Sequence, residues 1–232
     1  MPQHLSGRCH GLLQSMNSTD VVLVHGLFHQ PAHMEAFADE LRREGATVHI
    51  PRLHRGSLAG DTAAVQTVVD GCESAPVLLG HSYGGAVIAD VHGGRAYVFI
   101  AAFVPDVGES CAELGGPDAL INPWVRPHPS GGTCIDPEDA IELFAADCPP
   151  RDAERAAALL VPQAGGHGRG TVRHATWKSA PSHYIVCSED RAVDPALQRR
   201  MAERCTTSQT VATSHSPYIS QPGVLARIVS SV

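Results

Sequence analysis

The chain has 232 residues, of which 43% are hydrophobic and 18% charged, a balance that fits one globular domain with a real core and argues against a disordered chain. Its 17 Lys and Arg against 24 Asp and Glu leave a formal charge of −7, with no basic run, so nothing favours nucleic acid as a partner. Seven scattered cysteines with no C-x-x-C pair point away from a disulfide framework or a zinc site and towards reduced thiols in a cytoplasm.

Residues 1–17 lack a periodic pattern and are expected to form an unstructured extension, with Met16 as an alternative start. They hold no apolar stretch of signal-peptide length, and no segment of the chain is apolar enough to span a bilayer, so no membrane role is expected. Short β-branched runs then alternate with helical patterns. A buried strand is read at 21–24, a helix at 31–43 and a second strand at 47–50. A helix follows at 61–69, with Asp61 as its expected N-cap. The third strand is 77–79, the helix leaving it 84–91, and the fourth strand 97–102. Near the end come strands at 183–187 and 209–212, separated by a helix at 195–203 and followed by a last helix at 221–229. Continuous apolar strands alternating with helices imply an α/β fold, its sheet mostly parallel and covered on both faces.

Residues 106–181 break this rhythm. They are rich in Pro and Gly and contain both tryptophans, Trp124 and Trp177. Two helices are expected there, one opening at Asp136-Pro137 and one spanning about 151–160. An insertion between strands with little sheet of its own reads as a lid over a pocket. The core is then residues 18–105 and 182–232.

Gly80-His81-Ser82-Tyr83-Gly84 matches G-x-S-x-G. A nucleophilic serine must project from a tight turn between a strand and a helix, where bulky neighbours would block the bend. An apolar strand precedes this match and Ala86-Val87-Ile88-Ala89 starts a helix after it, the context the chemistry needs. The turn after the first strand, His25-Gly26-Leu27-Phe28, can present the N–H of Leu27 or Phe28 to an oxyanion, and Tyr83 N–H can supply the second donor. The acid should follow a late strand. Asp190 sits nearest the strand end, and Asp194, before Pro195, suits helix capping; Asp194 and Glu189 remain alternatives. His215 follows the last strand and completes the order Ser, Asp, His expected of this arrangement. His25, Phe103 and Trp124 are candidate pocket residues. His25, His29 and His33 straddle a turn and Pro31, so no metal is read there, and His167 in its Gly-rich tract is read as lid loop. No metal or dinucleotide motif occurs, and no cofactor is expected.

These pieces, together with Ala101-Ala102-Phe103-Val104-Pro105-Asp106, Cys148-Pro149-Pro150 and Ser214-His215-Ser216-Pro217, resemble the plant-type esterase and hydroxynitrile lyase family of α/β hydrolases, which includes salicylate methyl esterase and bacterial relatives. The resemblance implies the α/β-hydrolase fold with a helical lid, and it places the acid on Asp190. It also implies that lyases of this type carry a threonine after the first-strand histidine and a lysine after the catalytic histidine. Those positions are Gly26 and Ser216 here, and the sole lysine is Lys178. The expected function is therefore a serine hydrolase acting on a small methyl ester, aryl ester or lactone, as a monomer or homodimer. A lyase, decarboxylase or cyclase using the same triad, and a non-catalytic binding protein, are the alternatives.

Overall fold

A computed structural model describes residues 19–231; the extension expected over residues 1–17 lies outside them. The first half of the core comprises β1 (Asp20–Val24), α1 (Glu35–Arg43), β2 (Thr47–His49), α2 (Leu58–Asp70), β3 (Val77–His81), α3 (Gly84–Ala89) and β4 (Ala96–Ile100). The insertion that follows carries α4 (Cys111–Gly115), β5 (Val125–Pro127), β6 (Thr133–Ile135), α5 (Pro137–Phe144) and α6 (Pro150–Ala158). The core resumes with β7 (Ser182–Cys187), α7 (Pro195–Ala202), β8 (Thr207–Val211), α8 (Pro217–Ser220) and α9 (Pro222–Ser230).

Six core strands form one sheet in the order β2-β1-β3-β4-β7-β8, every pairing parallel. β1, β3, β4 and β7 are buried at every position, because helices cover both faces of a parallel sheet and neither face meets water. Alternation along each strand feeds two cores. Val22, Val24, Leu78 and Phe99 join Val65 of α2, Val87 of α3 and Leu197 of α7. On the other face Val21, Leu23, Leu79 and Val98 join Phe37 and Leu41 of α1 and Leu225 of α9. The edge strands β2 and β8 carry the exposed positions, which limits edge-to-edge association.

Several boundaries differ from those the pattern predicts. The helix expected at 31–43 is a 3₁₀ turn, Pro31–His33, followed by α1. The helix expected to start at Asp61 starts at Leu58, and its cap is Ser57, whose hydroxyl accepts from Gly60 N–H at 3.1 Å. Asp61 is therefore not the cap; it lies inside the first turn with its side chain fully buried. Asp136 precedes α5 with Pro137 in the first turn, yet its side chain makes no capping hydrogen bond. The insertion adds α4 and the hairpin β5–β6, whose strands are too short for a two-residue period to register in sequence.

Strand order fixes where a site can form. From β1 the chain crosses to β2 on one side and returns to β3 on the other. The loops leaving the C-terminal ends of β1 and β3 therefore diverge, and a crevice opens between them.

Candidate active site

Ser82 lies between the last residue of β3 and the first of α3 and has φ of +54°. That left-handed conformation costs a non-glycine residue on the order of 1 kcal/mol, so the surroundings must hold it. They do so through Ser82 N–H donating to Ile100 O at 3.2 Å, while Ser82 O accepts from Gly85 and Phe103 N–H. The flanking glycines have a steric cause, since a Cβ on Gly84 would lie 2.3 Å from Val24 O. The helix can start this close to β1 only without a side chain there.

Asp190 follows β7 and is buried. Its Oδ1 accepts from the N–H groups of Ala192 and Val193 at 2.7 and 2.9 Å. Its Oδ2 accepts from Gln198 Nε2 at 2.7 Å and lies 2.7 Å from His215 Nδ1. Of the three acids in that loop, Asp190 is the one that reaches His215. Glu189 is exposed, and Asp194 caps α7 by accepting from Ala196 N–H at 2.8 Å. His215 follows β8 and is held from behind by His81, whose Nε2 donates to His215 O at 2.9 Å. Ser82 Oγ makes no hydrogen bond to His215 among the described residues. Both side chains nevertheless line one cavity of about 1010 Å³, and such contacts are often long before substrate binds.

Leu27, Phe28, Tyr83 and Phe103 line the same cavity. Phe28 has φ of +64°, and its carbonyl accepts from Val161 N–H of the insertion at 2.8 Å. The backbone N–H groups of Leu27, Phe28 and Tyr83 meet no acceptor among the described residues. Gly26 brings their loop against the serine, for a Cβ there would lie 2.9 Å from Ser82 Cβ.

Two expected pocket residues are elsewhere. His25 is buried behind the strand end, its Nδ1 3.0 Å from Gly26 O, and does not line the cavity. Trp124 packs half-buried against the apolar cluster of Phe28, Leu143 and Phe144 and does not line it either. A residue's type announces neither direction. His167, read from sequence as part of a flexible lid loop, lies in the insertion but is buried, and its Nε2 lies 2.5 Å from Asp61 Oδ2.

Burial depresses the imidazoles behind the site. His25 is lowered to about 4, and His29 and His81 fall well below the ordinary histidine value, further lowered by neighbouring imidazoles. Around neutrality they are uncharged, so they do not compete with His215 for the Asp190 carboxylate.

Sequence reasoning missed Gln198 and His81. Gln198 Oε1 accepts from Cys187 N–H at 2.9 Å while its Nε2 serves both Asp190 and Val193 O; its one signal is a polar residue on the apolar face of α7. Missed also was a group that could hold a metal ion, Asp20, His49 and Cys72, with ligand atoms within 4.8 Å of one another. It draws on β1, β2 and the turn after α2, segments remote from one another in sequence, so no motif announces it. The six described cysteines are free, and no helix among the described residues is long and apolar enough to cross a membrane.

Comparison with known proteins bears on the fold and family. An alpha/beta hydrolase of Aspergillus novofumigatus is 25% identical over 235 residues, covering 90% of this chain and 94% of that protein. A pyrethroid hydrolase of Sphingobium wenxiniae is 27% identical over 246 residues, covering 93% and 88%. The crystal structure of a pyrethroid hydrolase from Sphingobium faniae superposes with a TM-score of 0.79 at 23% identity, covering 92% of this chain and 96% of that one. A profile described as the alpha/beta hydrolase family matches residues 21–228. The match spans most of the chain, and the chain belongs to the alpha/beta hydrolase family.

Proposed function

We propose that the protein is a serine hydrolase that cleaves a small carboxylic ester through an acyl-enzyme. The observation that carries this reading is the buried Asp190–His215 pair, 2.7 Å apart, opening on the cavity into which the strained Ser82 projects. Likeness to a pyrethroid hydrolase along nearly the whole chain supports ester cleavage as the reaction.

In acylation, Ser82 Oγ attacks the ester carbonyl carbon as His215 Nε2 takes the hydroxyl proton. The carbonyl π pair moves onto oxygen, and the N–H groups of Tyr83 and of Leu27 or Phe28 receive that oxyanion. Asp190 fixes the tautomer of His215 with Nδ1 protonated and stabilises the imidazolium. Collapse of the intermediate breaks the bond to the leaving alcohol, which takes the proton from His215 Nε2. A water molecule then repeats the sequence on the acyl-Ser82 ester, releasing the acid and restoring the serine.

The insertion serves as a lid: its Ile121, Val125, Phe144 and Gln163 form part of the cavity wall. A cavity of about 1010 Å³ is at the upper end for a small-molecule site and accommodates an aryl ester or a lactone as readily as a methyl ester. Lyase chemistry that needs a lysine beside the base lacks one, because Ser216 follows His215 and Lys178 pairs with Asp106.

The test is turnover of a p-nitrophenyl ester by Ser82→Ala. Loss of the nucleophile lowers turnover by on the order of 10⁶. A near-wild-type rate would refute the proposal.

A further inference from the structure

A second carboxylate–imidazole pair lies behind the cavity wall, which its His167 lines, and the triad does not use it. Asp61 is fully buried in the first turn of α2. Its Oδ1 accepts from Arg55 N–H at 2.7 Å. Its Oδ2 accepts from Tyr83 O–H at 2.9 Å and lies 2.5 Å from His167 Nε2. One carboxylate thus joins three segments: the core helix α2, the residue after the nucleophile, and the Gly-rich tract of the insertion. The side chains of Asp61 and His167 are 0% and 2% exposed, so water does not compete for these bonds. Burial alone would raise the Asp61 carboxyl. The hydrogen bonds from His167, Arg55 N–H and Tyr83 more than offset this and hold it below the usual carboxylate value.

The tract is shaped to deliver His167. Gly166 adopts φ of +77° at the entry to the 3₁₀ turn His167–Arg169. Past that turn, a Cβ on Gly170 would lie 2.7 Å from Leu58 Cβ, so the backbone can press on α2 only without a side chain. The His167 ring meets the Tyr83 ring edge-on at 4.9 Å between centroids. Tyr83, His167 and Ser82 all line the one cavity. His167 Nδ1 is buried without a partner, so the tie to the core runs through Nε2.

We propose that Asp61 and His167 are positioning residues that tie the insertion to the nucleophile turn and so set the cavity wall facing Ser82. The inference rests on the serine-hydrolase reading above. Breaking the tie frees the wall contributed by residues 166–169 while leaving Ser82, His215 and Asp190 in place. Its effect therefore falls on substrate binding, most for an ester large enough to touch that wall.

The experiment compares His167→Ala, His167→Gln and Asp61→Ala with the wild-type protein, using p-nitrophenyl benzoate and p-nitrophenyl acetate. Sites are counted by titration of Ser82 with a small fluorophosphonate. His167→Ala is expected to raise KM for the benzoate about tenfold, with kcat per titrated site within about threefold. His167→Gln, whose amide N–H can stand in for Nε2–H, should recover most of that loss. Asp61→Ala, which leaves no group to pair with either tautomer of His167, should match His167→Ala, and the double variant should show no further rise, because both changes break one tie. A merely structural role would instead lower the titrated fraction, equally for both esters, and Gln would not rescue. Unchanged KM in His167→Ala, or equal KM values in the Ala and Gln variants, would overturn the inference. With Ser82 still titratable, such a result leaves the serine-hydrolase reading standing; activity surviving in Ser82→Ala would end that reading instead.

Discussion

Asp190→Asn changes one atom of the site, and the structure dictates how the new amide must sit. The oxygen has to stay where Oδ1 is now, because the N–H groups of Ala192 and Val193 point at it from 2.7 and 2.9 Å. The NH₂ group then takes the place of Oδ2, facing His215 Nδ1 and Gln198 Nε2. Gln198 cannot turn to accept it, since its Oε1 is committed to Cys187 N–H and its Nε2 also donates to Val193 O. The amide therefore donates to His215 Nδ1, which forces the proton onto Nε2, the nitrogen that must accept from Ser82. An inverted tautomer of this kind costs about 10⁴ in turnover, or about 5.5 kcal/mol of barrier. The opposed N–H donors of the new amide and of Gln198 add about 1–3 kcal/mol of lost stability. Steady-state kinetics on p-nitrophenyl acetate at pH 7, with a thermal melt to verify folding, measures both. A folded variant within tenfold of wild-type kcat would refute the tautomer argument and with it the assignment of Asp190.

The neighbouring acid should behave differently: Asp194→Ala loses the cap of α7 and about 1 kcal/mol of stability, with turnover within about threefold. A collapse of kcat, read in the same assay, would mean the acid had been misassigned. Acid should destabilise the fold through its buried histidines. His25 is held at about 4, and His29 and His81 well below their ordinary value, so the unfolded chain takes up protons first as pH falls. Their stabilising contribution is complete above about pH 6.5 and declines below it, by about 1.4 kcal/mol per pH unit for each such histidine. Urea unfolding at pH 7 and pH 5 measures it, and equal or greater stability at pH 5 would contradict the sign.

How much of this was legible in the sequence depends on how local each signal is. The turn at Ser82 could be read because strand, glycines and helix adjoin one another, and sterics leave few alternatives. The sheet could be read because β1, β3, β4 and β7 are buried on both faces and so appear as unbroken apolar runs. Asp190 could be preferred to Asp194 because a proline after an aspartate signals a cap. Side-chain direction was not legible. Asp61 looked like a cap and is instead the hub of a buried cluster, because Ser57 had already satisfied the start of α2. Trp124 looked like a pocket residue but packs into the cluster formed with α5. His167 looked mobile amid glycines, yet those glycines allow the close approach that buries it. In each case the outcome depends on partners from remote segments, which no local pattern encodes.

Ser82 should become covalently acylated, with His215 and Asp190 driving the step. A p-nitrophenyl carbamate captures that acylation, because the carbamoyl-enzyme it forms is released slowly. Rapid quench followed by peptide mass analysis should find one carbamoyl group per chain on Ser82, matched by one equivalent of p-nitrophenolate, and no adduct on that time scale in Asp190→Asn. Steady p-nitrophenolate release with no adduct, or an adduct on a different residue, would contradict the account.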